Sequence, residues 1–245
     1  MRGSGWFAGN TPGTLHNTER LGVDSHLYLL DDRRYTDKVK PLLDTLLADG
    51  DTGPARTAYE AAWRILSEAN NRWKYPWTPL HSTRFADGFQ TGLSLLDGHI
   101  PETYYGDRSI LEPDWVTRDP HLVREYHLRD RVCGVIVEGL SVPWNLDFPP
   151  VHVVTWCLGS ELYEHSKKFE DTLCGDIYAR STPAPHDISQ GDQLVDQTLV
   201  RELGVEIARI APPESDLWAD ERYRNLYLLL QRGAENNFRI LASYF

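Results

Sequence analysis

The stretch Asp192–Phe245, DQLVDQTLVRELGVEIARIAPPESDLWADERYRNLYLLLQRGAENNFRILASYF, carries the clearest local signals in the chain. Asp192 is a capping residue ahead of a helical pattern reaching Leu203, and Gly204 is a natural stop. Val205–Ile210 then reads as a strand, Pro212-Pro213 as a turn, and Ser215 as the cap of a second helix extending to Arg232. Asn237–Phe245 alternates apolar and polar residues, the period of a half-buried strand. The stretch is therefore expected to form a helix-strand-helix-strand unit.

Outward from there, three further runs read as strands: Ser25–Leu30, Val132–Glu138 and the β-branched Val151–Trp156. Helices are expected over Asp37–Ala48, with Pro41 in the first turn and Gly50 as the stop, and from Thr52 onward. In the latter, Ala55, Ala58, Tyr59, Ala62, Leu66 and Ala69 recur at helical spacing, and Trp73 extends the stripe. Phe85–Leu96, a segment opening at Asp119-Pro120, and Ser160–Leu173 complete the set. Asp31-Asp32-Arg33-Arg34 reads as a charged turn. Interleaved helices and about five strands define an α+β (or α/β) domain with helices in excess. It is expected to span residues 25–245 behind an irregular arm over 1–24, with 175–191 the one stretch suited to a hinge.

The chain has 245 residues, 41% of them hydrophobic and 25% charged, a globular composition. Its 36 acidic residues against 25 basic ones give a formal charge of -11. That balance argues against nucleic acid or an anionic membrane as the main partner, since both require a basic footprint. No segment reaches the roughly 18 apolar residues of a membrane span, and MRGSGWFAGN lacks the apolar run of a secretory leader. Cys133, Cys157 and Cys174 form no C-x-x-C pair, and an odd number suits reduced thiols in the cytoplasm.

Glycine-rich phosphate loops and the G-x-S-x-G elbow are both absent, so no nucleotide cofactor is expected. The catalytic candidates are His152, Cys157, Glu161 and His165. Glu161 and His165 share a helix face one turn apart, and Cys157 falls at a strand-to-helix junction, where a helix dipole favours the thiolate. His121, Glu125 and His127 form a second group, in which His121 and Glu125, also one turn apart, offer a weaker metal pair without a zinc signature.

Aromatic residues mark the connectors. Eight Trp and 12 Tyr outnumber seven Phe, and they concentrate in RWKYPWTP (72–79) and SVPWNLDFPP (141–150). Such side chains join an apolar body to a hydrogen-bonding tip, as pocket walls require. Arg72, Trp73, Tyr75, Trp77 and Trp144 are accordingly the expected ligand-binding residues. The reading that results is a small-molecule-processing enzyme with histidine and carboxylate acid–base chemistry. Two others compete with it: an acidic, immunity-like protein covering a basic protein partner, and a ligand sensor without turnover.

Overall fold

Leu27, Tyr28, Leu29 and Leu30 are all at most 2% exposed, although successive residues of a strand point to opposite faces. Both faces of this strand must therefore be covered. The computed structural model describes residues 24–73, 88–100, 120–155, 182–183, 193–210, 212–219 and 221–244. In it, β1 (Asp24–Leu30) lies between β2 (Val151–Thr155) and β5 (Arg239–Tyr244). The sheet continues past β5 through two short segments, β4 (Gln193–Val195) and β3 (Thr182–Pro183), in the order β2-β1-β5-β4-β3. Every pairing is antiparallel, with Leu27 opposite Ala242 and Tyr28 opposite Leu241. That places the fold with α+β proteins rather than with parallel α/β ones.

Alternate residues of the sheet enter two separate cores. Tyr28, Leu30, Leu194 and Leu241 join one apolar cluster, while Leu27, Leu29, Val195, Ile240 and Ala242 join another. Four helices build the first core. They are α1 (32–49), α2 (Thr52–Trp73), α3 (Gly88–Leu96) and α4 (120–141). Two helices, α5 (Gln197–Ile210) and α6 (Glu221–Asn236), build the second.

Helix α1 starts five residues before its expected beginning. The Asp31 carboxylate accepts the Arg34 N–H at 3.1 Å, so Asp31–Arg34 opens the helix instead of making a separate turn. Pro41 then falls well inside it, where its ring and missing N–H disrupt an α-helix. The chain accommodates it with a π-helical turn, Tyr35–Val39, in which the Lys40 N–H reaches the Tyr35 carbonyl. Gly50, at φ 69°, closes the helix as expected. Replacing Asp31 with alanine is expected to cost about 1 kcal/mol. In a chain this long that lowers Tm by roughly 2–4 °C in thermal unfolding; an unchanged Tm would show the cap to be redundant.

Two expected strands are helical, each for a physical reason. Val132–Glu138 lies within α4, whose parts are Pro120–Leu128, a π-helical turn at Arg129–Cys133, and Gly134–Ser141. Every residue from Val132 to Gly139 is buried, so the run is apolar all round because the helix is enclosed, not because it is a strand. Val205–Ile210 is the second half of α5. Gly204 does not stop this helix; it lies in the middle of it facing α6, and its carbonyl accepts Gln231 Nε2 at 2.7 Å. The inward residues Leu199, Val200, Leu203 and Ile207 keep helical spacing, while Val205 is 72% exposed. Asp196, not Asp192, caps α5, accepting the N–H groups of Thr198 and Leu199. The C-terminal unit is thus strand-helix-helix-strand, and three of the expected strands, β1, β2 and β5, are present.

Smaller adjustments follow the same logic. Asp51, one residue before Thr52, supplies the capping oxygen of α2 to Gly53 N–H at 3.1 Å. The helix expected from Ser215 is divided into a 3₁₀ turn, Asp216–Ala219, and α6. Asn237 ends α6 in the left-handed region at φ 59°. Arg239 on β5 pairs with Asp32 at the start of α1, tying the sheet to the first helical layer. Among the described residues no helix is long and apolar enough to cross a membrane.

Candidate functional site

The expected catalytic group is only partly placed. His152 lies on β2 opposite Leu27, whereas Cys157, Glu161 and His165 fall outside the described residues, as do Tyr75 and Trp77. Trp73 ends α2, half-buried, with the exposed Arg72 guanidinium 4.7 Å above its ring. That stacking is a cation–π contact. Trp144 packs against the first core, and its indole N–H donates to the Glu138 carbonyl at 2.9 Å. This bond satisfies a carbonyl near the end of α4.

His121 and Glu125 are both exposed on α4, and Glu125 accepts Arg129 Nη2 at 2.7 Å and Nε at 3.1 Å. Its carboxylate therefore serves a one-turn ion pair. Among the described residues no three His, Cys, Asp or Glu side chains are grouped to hold a metal ion.

Helix α4 also carries two buried polar residues: His127, which the sequence groups with His121 and Glu125, and Glu138, which it does not single out. His127 is 2% exposed and Glu138 is 1% exposed, in a core otherwise made of aliphatic and aromatic side chains. Both are engaged by partners within the protein, as polar groups removed from water must be. Eleven residues separate them, about 16 Å of helical rise. They cannot attend the same reacting atom. The π-helical turn Arg129–Cys133 lies between them, a local distortion that recurs at functional sites. Cys133 at its end is fully buried and packs as a small apolar residue.

Around His127 the helix presents other nitrogen bases. Arg124 precedes it by three residues and Arg131 follows by four, so the three occupy one side of the helix. Arg124 Nη2 donates to the Leu95 carbonyl at the end of α3, at 3.3 Å, which fixes the guanidinium between α3 and α4. In the first core, Tyr59, Trp63 and Phe89 form an aromatic group with ring centroids 5.4–5.9 Å apart. The Tyr59 hydroxyl donates to the Gly88 carbonyl at 3.0 Å, anchoring the start of α3 to α2. Helices α2, α3 and α4 thus bring aromatic, imidazole and guanidinium groups into one layer.

One signal for this site was available in the sequence. Glu138 interrupts the apolar run VCGVIV-E-GL, and a charged residue inside such a run is informative because it is seldom buried unless paired. His127 stands out only through its place beside His121 and Glu125, and its neighbours Tyr126 and Leu128 give no hint of which side faces inward.

No protein-family model, no curated protein and no solved structure matches the chain. The class of the protein therefore rests on the fold and on these side chains.

Proposed function

We propose that the protein is a small-molecule-processing enzyme without a nucleotide cofactor, in which His127 carries the proton. The supporting observation is the burial of this one imidazole, at 2% exposure, on a helix face flanked by Arg124 and Arg131. Imidazole is the side chain suited to give and take a proton near neutral pH. Enclosure excludes bulk water and strengthens the electrostatic effect of nearby charges. The neighbouring guanidinium groups suit charge developing on a substrate oxygen as a proton leaves carbon or a heteroatom. Tyr59, Trp63 and Phe89 suit a substrate that is partly apolar. His127 takes the acid–base part first assigned to His152 and His165, and Glu138 is too distant to share it.

The experiment is an unbiased conversion assay. Purified protein is incubated with a small-molecule cell extract, and mass spectrometry follows each component over time. At least one compound is expected to be depleted with matching growth of a product, and heat-denatured protein is expected to leave the extract unchanged. Identical time courses for native and denatured samples would remove the enzymatic reading.

A further inference from the structure

Helix α4 carries His121, Arg124, His127 and Arg131, at successive spacings of three, three and four residues. At about 100° per residue these positions fall within roughly one third of the helix circumference. The chain as a whole has 36 acidic residues against 25 basic ones, so a four-membered row of nitrogen bases runs against its general balance. Glu125 lies outside this row and is occupied by Arg129. The row also runs from outside to inside. His121 is exposed, Arg124 and Arg131 are half-buried, and His127 is buried.

Arg124 is the informative member. A guanidinium presents its donors as a planar fork, and two of them together match the two oxygens of a carboxylate or phosphate. Here Nη2 is committed to the Leu95 carbonyl, while Nε is buried without a hydrogen-bond partner. A guanidinium bonds more strongly to an oxyanion than to a neutral carbonyl, because both partners are then charged. The guanidinium is held in place by α3 yet retains unused donor capacity.

We infer that this face of α4 binds the oxyanion group, carboxylate or phosphate, of a small anionic ligand, with Arg124 as its principal contact. The inference rests on the proposed role of His127 only in identifying that ligand as the substrate. An anion held at Arg124 lies one helical turn from the imidazole, and Arg131 lies one turn beyond.

The test measures Tm and calorimetric binding with two probes, inorganic phosphate and succinate, each against potassium chloride at equal ionic strength. At least one probe is expected to raise Tm by several degrees in a saturable manner. Preference for phosphate points to a phosphate ester, and preference for succinate to a carboxylic acid. Arg124→Gln is expected to weaken binding by about tenfold or more, the loss of a charge-assisted hydrogen bond. Arg33→Gln, whose guanidinium is at the surface, is expected to bind as the native protein does. If Arg124→Gln does not fold, Arg124→Lys keeps the charge, loses the fork, and is expected to bind more weakly than native. Absence of any shift beyond chloride, or native affinity in the foldable Arg124 variant, overturns the inference. Saturable binding together with an inert conversion assay would uphold the anion site and remove the enzyme. Conversion of an uncharged compound without oxyanion binding would do the reverse.

Discussion

Replacing Gly139 with valine is expected to produce a large loss of stability in the first helical layer. A Cβ at this position would lie 2.5 Å from the Cα and Cβ of Ala62 and 2.8 Å from its carbonyl oxygen. Those atoms include backbone of α2, so no rotamer change relieves the clash, and the two helices must separate. Overpacking of this kind costs about 1–3 kcal/mol and occasionally more. With two extra methyl groups the upper end is expected, a fall in Tm of roughly 6–12 °C. Gly53→Ala is the matched control. Its new Cβ would meet only Asp51 Oδ1, at 3.5 Å, and alanine is the better helix former by up to about 1 kcal/mol. A Gly139→Val chain that melts with the native protein would show that α2 and α4 are not packed in this way.

His127→Gln is expected to have the largest effect on turnover and a much smaller one on folding. Glutamine keeps a polar group with donor and acceptor capacity at a site 2% exposed to solvent, but it cannot carry a proton near neutral pH. Loss of a positioned general acid or base typically slows a reaction by about 10²–10⁴-fold. Glu138→Gln provides the contrast. That carboxyl group is equally buried and engaged within the protein, and disturbing a buried polar partnership costs about 1–3 kcal/mol. About 16 Å from His127 along the helix, it is expected to change Tm far more than it changes the chemical step. Chemical denaturation monitored by tryptophan fluorescence, run beside the conversion assay, separates the two behaviours. A Glu138 variant that is stable but inactive would move the chemistry to the other end of α4.

The elements legible in the sequence were those whose pattern has a single meaning. Ala55, Ala58, Tyr59, Ala62, Leu66 and Ala69 are all buried on α2, because a long stripe of mixed small and large residues fits only a helix. β1 and β5 were legible because turn-forming residues bound them. Val132–Glu138 was not, since a run apolar on every side describes a buried strand and an enclosed helix equally well. Val205–Ile210 failed through Gly204, which reads as a helix stop but lies in the middle of α5. The residues proposed to act were less accessible still. Burial of His127 and the fixed guanidinium of Arg124 arise from tertiary packing of α3 against α4, which local spacing does not encode. Reading His121 with Glu125 as a one-turn pair found the right helix but its exposed side.

The proposed function stands or falls with acid–base chemistry at the buried imidazole of α4. The most direct test is the conversion rate of His127→Gln relative to the native protein, measured on whichever extract component is consumed and normalised to the folded fraction. A decrease of about 100-fold or more is the expected result. A folded His127→Gln protein that turns over this compound at the native rate would contradict the claim.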